Sequence, residues 1–369
     1  MPKGEPYDFL IVGAGIAGLS SAYHLAKDGY RVLVLERSNS KDNASFNSTA
    51  MMCHDPDVDW QDVVARFGES GARDIWDVSE LGFRELIRYA HEQKPGFTAK
   101  RTPSHIFSNS PERSVELRAQ YELYKKIGAD ATFTENGATI SPAFGSAVTV
   151  DNDGVTNNQA ILRTLTERVR KMGGMVMHEH PVDTLSFESG VAEASVAGKI
   201  FRGKEAIIAT GDQTLAPDLP KTKTLRTFVV GFEKHGMPAL LHNSILWDND
   251  EPYHYIRSFK GSVLWVGGED VAESEYDAKK DYYAPLEAFA KEKLGVDPSY
   301  KRISEWSGTF YPTATGVPCI GKVPDRPLHV AYGFGGTGVV MSFVSGYLLS
   351  SWMKGEHVQY QKLFSTEVS

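Results

Sequence analysis

Phe9-Leu10-Ile11-Val12-Gly13-Ala14-Gly15-Ile16-Ala17-Gly18-Leu19 is the stretch on which the reading of this chain turns. A short apolar run opens it, three glycines follow at GxGxxG spacing, and a helical pattern begins at once. Gly13 permits a tight turn off a strand, Gly15 lets backbone approach a pyrophosphate, and Gly18 lets helix and strand pack closely. The turn Gly13-Ala14-Gly15-Ile16-Ala17-Gly18 therefore reads as a phosphate cradle, in which a helix N-terminus offers free N–H groups and partial positive charge. Arg31-Val32-Leu33-Val34-Leu35-Glu36 reads as the next strand, and Glu36 at its tip would accept hydrogen bonds from a ribose diol. Strand before, helix after and acid at the expected distance separate a dinucleotide site from a merely structural glycine turn.

Working outward, Leu19, Ala22, Tyr23 and Ala26 recur at helical spacing, and Gly29 is a natural cap. Ser38 to Ser48 is polar and reads as a loop, ending in Asn47-Ser48-Thr49-Ala50-Met51-Met52. Helical patterns fill much of residues 60–95 and 112–127. The α/β pattern returns later: Thr156 or Asn157 can cap a helix carrying Leu162, Leu165, Val169 and Met172 on one face. Met175 to Val182 then reads as a strand, and Glu205 to Gly211 as an apolar strand ending in Thr210-Gly211. From about 224 to 270 the runs are aromatic and β-branched, broken by turn residues, the mark of an antiparallel sheet. A charged helix is expected over 277–294. Gly333, Gly335 and Gly338 repeat the GxGxxG spacing, but only one helix, Val339 to Met353, follows, with no strand and no acid for a ribose. What remains is a helix N-terminus, a fixed positive dipole suited to a negative partner.

The whole chain sets bounds on these readings. Its 369 residues allow more than one core. Apolar residues at 41% and charged residues at 23% suit a globular protein. The 39 basic and 47 acidic residues give a net charge of −8, which argues against nucleic acid as a general partner. Cys53 and Cys319 are too far apart for a metal motif, and two cysteines make no disulfide framework. No apolar secretory region precedes the first strand and no run reaches membrane-spanning length, so a cytoplasmic location is expected.

Taken in order, these pieces resemble the FAD-dependent oxidoreductases of the D-amino-acid oxidase, glycine oxidase and sarcosine oxidase superfamily. The likeness runs from the GAGIAG turn with Glu36, through the Asn47-Ser48-Thr49-Ala50 loop, the strand ending at Val182 and Ala209-Thr210-Gly211. It continues in Trp306-Ser307-Gly308, Gly316-Val317-Pro318-Cys319-Ile320-Gly321 and Gly333-Phe334-Gly335-Gly336-Thr337-Gly338. The resemblance implies an α/β fold: a discontinuous Rossmann-like FAD-binding domain of residues 1–75, 145–222 and 305–369. A substrate domain of residues 76–144 and 223–304, built on a mixed or antiparallel sheet, would be inserted in it. It implies further that Gly13, Ala14, Gly15, Ile16, Ala17, Gly18, Glu36 and Arg37 hold the ADP half of FAD, with Val182 at the adenine and Thr210-Gly211 near the pyrophosphate. Ser48, Thr49, Ala50 and Met51 would line the approach to the isoalloxazine. Gly335, Gly336, Thr337, Gly338 and Val339 would place N–H groups at its N1 and C2 carbonyl edge, where reduction puts negative charge.

Departures from the family pattern bear on substrate. Sarcosine-oxidase-like enzymes attach FAD to a cysteine where this chain has Gly308-Thr309-Phe310, so FAD is expected to be non-covalent. The arginine that anchors the substrate carboxylate in D-amino-acid and glycine oxidases is missing from Gly308-Thr309-Phe310-Tyr311-Pro312. Arg257 is a candidate substitute, because Tyr253, Tyr255 and Arg257 alternate onto one strand face; an exposed sheet arginine is the alternative. His54, beside Cys53, is a candidate pocket residue. Trp265 falls at the place of the lysine that assists O₂ in sarcosine oxidases, and an indole supplies no fixed cation. His178 and His180 lack a third ligand, so no metal is expected, and Lys221 to Arg226 reads as a solvated linker. The implied activity is oxidation of the C–N bond of a small amine or amino acid by hydride transfer to flavin N5, with the imine then hydrolysing. O₂ or another acceptor would take the electrons. A 2-hydroxy-acid or alcohol dehydrogenase of the same superfamily, or a flavin-carrying electron-transfer subunit of a hetero-complex, remain as alternatives.

Overall fold

The computed structural model describes residues 5–39, 43–56, 58–93, 97–141, 144–188, 190–234, 237, 240–241, 244–259, 261–364 and 366. The opening apolar run forms the strand Tyr7–Val12, paired in parallel with Val32–Leu35 on one side and Lys199–Ile208 on the other. Phe9–Val12, Val32–Leu35 and Ala206–Ile208 are buried, as expected for parallel strands covered on both faces. Met175–Met177 extends the sheet beyond Val32–Leu35. On the other flank Leu328–Tyr332 lies parallel to Lys199–Ile208, with Cys319–Lys322 antiparallel beside it. The hairpin Thr184–Glu188 and Val191–Val196 completes eight strands.

The first helix, Ile16–Lys27, is pressed against the helix Gly338–Met353. A Cβ at Gly346 would sit 2.3 Å from the carbonyl carbon of Ser20. Only glycine allows this backbone approach.

The second sheet also has eight strands, in the order Lys301–Phe310, Leu225–Glu233, Val263–Ala272, His254–Phe259, Ile245–Asp248, Ser104–Ser108, Ser146–Val150 and Ala131–Thr134. All neighbours are antiparallel except Ile245–Asp248 with Ser104–Ser108, so the sheet is mixed. Phe228, Val230 and Phe232 alternate onto the face covered by the helix Tyr283–Leu294. The seams expected at 145 and 305 meet this sheet: Ser146–Val150 pairs with Ser104–Ser108, and Lys301–Phe310 runs through position 305.

Local chemistry moves several expected boundaries. The strand starting at Met175 stops at Met177, where the chain folds over the tip of Val32–Leu35. Glu36 N–H donates to the Met177 carbonyl at 2.9 Å, and His180 N–H donates to the Glu36 carbonyl at 2.8 Å. The helix expected from 277 begins at Tyr283, because Asp281 Oδ1 accepts from the N–H groups of Tyr283 (2.9 Å) and Ala284 (3.1 Å). The polar loop after Glu36 contains the helical turn Ala44–Asn47, capped by Asn43; its residues 40–42 lie outside the described residues. The long helix Trp60–Glu92 is broken at Gly68, whose φ of 70° is not helical.

Candidate active site

Both sheets contribute to one cavity of about 1080 Å³. One end lies at the carboxyl edge of the parallel sheet, lined by Val12, Gly13, Gly15, Leu35, Glu36 and Ala209. The chain leaves the central strand toward opposite neighbours here, the switch point at which such sheets bind dinucleotides. The three glycines meet three different demands. Gly13 has φ of 106°, and a Cβ on it would lie 2.3 Å from the Ala209 carbonyl oxygen. A Cβ on Gly18 would lie 2.0 Å from the Gly13 carbonyl oxygen, so Gly18 serves packing and is not itself on the cavity wall. A Cβ on Gly15 would meet only the Ser45 hydroxyl, at 3.2 Å, which leaves the space in front of it for a ligand.

Glu36 is 5% exposed. Its Oε2 accepts from Ala14 N–H at 2.7 Å, and its Oε1 accepts from the Ser38 N–H (3.0 Å) and hydroxyl (2.9 Å). Oε2, with one donor, keeps acceptor capacity for a ribose hydroxyl. Ile16, Ala17, Arg37, Val182, Thr210 and Gly211 also line this end, whereas Ala14 meets the site through its N–H to Glu36.

Further in, Ser48, Thr49 and Met51 form one wall. Ala50 between them is buried, off the wall, and carries φ of 59°, a left-handed conformation that costs a non-glycine residue energy. Ser48 Oγ accepts from Ala50 N–H at 3.0 Å, and Thr156 N–H donates to the Ala50 carbonyl at 3.1 Å, which hold that conformation. Gly335, Gly336, Thr337, Gly338 and Val339 form another wall at the N-terminus of the 16-residue helix Gly338–Met353. The residues fit FAD: open backbone in front of Gly15, a carboxylate at the ribose position, and a glycine-rich helix N-terminus for the flavin's electron-rich edge.

The remaining wall comes from the second sheet. Tyr253 and Tyr255 line the cavity, with Thr227. Tyr253 OH donates to Asp270 Oδ2 at 2.8 Å, and Tyr255 OH lies 3.0 Å from Thr227 Oγ1. The Tyr255 ring lies over Gly267, where a Cβ would come within 2.2 Å of it. Burial pushes the Asp270 carboxyl above its ordinary range. Arg257 lies elsewhere: it is 4% exposed, does not line the cavity, and donates through Nη2 to the Thr156 carbonyl at 2.7 Å. Burial brings its pKa down to about 10. Trp265 stands opposite Arg257 in register, stacked on Phe259 with centroids 4.9 Å apart and edge-on to Trp306 at 5.4 Å. It is one ring removed from the wall, since Trp306 Nε1 donates to the carbonyl of cavity-lining Asn47 at 2.8 Å.

His54 also lies off the wall. It is 2% exposed and stacked between Trp76 and Phe83 at centroid distances of 4.4 and 4.3 Å. Its Nδ1 meets Asp153 at 2.8 Å and its Nε2 meets Glu80 at 3.1 Å. Among the described residues no group of three or more potential ligands could hold a metal ion.

Asp55 and Arg226 are among the charged residues that face the cavity and that the sequence did not mark as site residues. Asp55 is next to His54 in sequence, but nothing local marks it as different from other loop aspartates. Arg226 read as the end of a basic linker. A break in the pairing of Leu225–Glu233 with Val263–Ala272 falls between Arg226 and Phe228, and such a bulge re-aims a side chain in a way alternation does not forecast.

The switch-point cradle, the acid on the second strand and the C-terminal helix define a flavin-dinucleotide oxidoreductase. A family model described as FAD dependent oxidoreductase matches residues 8–352, and the chain belongs to that family. The chain is 23% identical over 383 residues to glycine oxidase of Bacillus licheniformis, covering 96% of this chain and 94% of that protein. It is 23% identical over 369 residues to gamma-glutamylputrescine oxidoreductase of Escherichia coli strain K12, covering 95% and 84%. The crystal structure of glycine oxidase from Geobacillus kaustophilus has the same fold, with a TM-score of 0.83 at 18% identity and 96% of each chain covered. Among the described residues no helix is long and apolar enough to cross a membrane.

Proposed function

We propose that the protein oxidises the C–N bond of a small amine or amino acid. The observation that carries this reading is the continuity of the cavity, which joins the dinucleotide cradle to a wall of Tyr253, Tyr255 and Thr227. FAD, when bound, supplies a two-electron acceptor for the hydride on the substrate carbon next to nitrogen. The chain's residues then have separable tasks. The N–H groups and helix dipole at Gly335–Val339 favour negative charge on the edge they face. Tyr253, fixed by Asp270, and Tyr255, fixed by Thr227, present a rigid surface that orients the substrate. A strong base is not required when the amine binds deprotonated. FAD is held without a covalent bond: Gly308, Thr309 and Phe310 on the wall carry no thiol, and Cys319 lies in a strand pair off the cavity. Cys53 is on the wall but only 4% exposed, and burial pushes its thiol up, away from the reactive thiolate.

An anaerobic flavin-bleaching screen with amines, amino acids and 2-hydroxy acids tests this reading. Bleaching by amines or amino acids is expected. Bleaching by hydroxy acids alone would move the protein to the alcohol-oxidising branch.

A further inference from the structure

We propose that the substrate carries a second positive charge, received by Asp55, so that this cavity prefers diamines or other amines with a distal cation. The proposal rests on the amine-oxidising reading and adds a substrate class to it. Beyond the tyrosine wall the cavity is lined by Asp55, Asp59, Glu116, Asp250 and Glu251 against Arg113. Arg113 is already engaged, 2.9 Å from Glu116 and 3.9 Å from Glu251. Arg226, the other arginine on this part of the wall, is engaged by Glu273. An additional carboxylate would meet an acid-rich wall whose arginines have partners, whereas an ammonium would meet complementary charge.

Asp55 is the group best placed to act. Its Oδ2 accepts from Gln120 Nε2 at 2.9 Å and from Tyr124 OH, both on the helix Pro111–Lys126. Tyr124 is fully buried, so the carboxylate is held from behind. Both donors are neutral, and among the described residues Asp55 makes no ion pair. Burial pushes its pKa up to about 7, with Asp153 and Asp59 adding to the rise. A carboxylate kept in this state gains most from a cation brought by a ligand. An ammonium has three donors and no acceptor, which matches the acceptor capacity that Gln120 and Tyr124 leave on Asp55.

The experiment measures binding of 1,4-diaminobutane, butylamine and 4-aminobutanoate to the FAD-loaded protein by anaerobic calorimetry at pH 8. Flavin absorbance is followed in the same samples. The diamine is expected to bind at least about tenfold more tightly than butylamine, with 4-aminobutanoate weaker than the diamine, and this ratio should collapse toward one in Asp55→Asn. Equal affinity of the wild-type protein for diamine and butylamine overturns the proposal, whether or not the variant folds. An undiminished ratio in a folded, FAD-loaded Asp55→Asn variant also overturns the role of Asp55. A diamine preference without bleaching by any amine sustains the charge assignment and rejects amine oxidation. Bleaching without a diamine preference does the reverse.

Discussion

Glu273 grips Arg226 by two parallel hydrogen bonds, Nε to Oε2 at 2.8 Å and Nη2 to Oε1 at 2.7 Å, while Nη1 donates to Ser307 Oγ at 2.9 Å. Arg226 pairs in register with Thr309, within the run that the resemblance to D-amino-acid and glycine oxidases sets against their carboxylate-anchoring arginine. An arginine thus stands at the wall with its charge already answered. Glu273→Gln should release it, lowering KM for an α-amino acid substrate by roughly fivefold, about 1 kcal/mol for a half-exposed pair, without loss of FAD. Steady-state kinetics of the variant decide this; an unchanged KM would leave Arg226 with a purely structural task.

Glu36 links the cradle to the second strand through Ala14. Glu36→Ala should weaken FAD binding by roughly 1–3 kcal/mol, about 5- to 150-fold in Kd, through lost charge-assisted hydrogen bonds. Flavin fluorescence on dilution measures it. In the wild-type protein, acid precipitation should leave all FAD in the supernatant; yellow colour in the washed pellet would demonstrate a covalent bond.

The resemblance to sarcosine oxidases sets Trp265, an uncharged ring behind Trp306, against their oxygen-assisting lysine. The buried cation beside it, Arg257, lies 5.6 Å from its ring centroid and is committed to the Thr156 carbonyl. Reoxidation of the reduced enzyme in air-saturated buffer should therefore be slower than turnover with a dye or quinone acceptor. Stopped-flow absorbance reads the rate. Reoxidation as fast as turnover, with stoichiometric hydrogen peroxide, would make this an oxidase and show that Trp265 does not limit the reaction.

His54 couples the protein's stability to pH. Burial disfavours its charged form, but hydrogen bonds and charge from Asp153 and Glu80 outweigh that and raise its pKa above the ordinary value of 6.5. Its contribution is fully present below about pH 6.5 and is lost as pH rises through the higher folded-state value. The denaturation midpoint should fall across that window, and His54→Gln should flatten the fall while costing roughly 2–3 kcal/mol at pH 6. A pH slope equal in the two proteins would show that His54 is neutral in the fold.

The first βαβ unit was legible because its determinants are local: an apolar run, glycines at fixed offsets and an acid on the next strand. The mixed second sheet was legible between 224 and 270 for the same reason. Its other strands were not, because Ser104–Ser108 joins Ile245–Asp248 across more than a hundred residues. Alternation grouped Tyr253, Tyr255 and Arg257, but a shared face does not specify how far along the strand the cavity extends. The wall ends before Arg257, which turns into the Thr156 backbone. Asp55 depends on Gln120 and Tyr124, 65 and 69 residues away, and no pattern within a helix or loop encodes such a meeting.

The close approach at Gly346 and Ser20 has a consequence for biosynthesis. Ser20, in the first helix made, donates its hydroxyl hydrogen to Phe343, 323 residues later. At about 5–20 residues per second, the first helix waits roughly 15–65 s for its partner to be synthesised. Until then the face that will bury Leu19 and Tyr23 has no final covering, and the Gly335–Val339 wall of the cavity does not exist. The full cavity for the cofactor therefore forms only after nearly all of this sequence has been translated, and the first helix lacks its native covering in the interval.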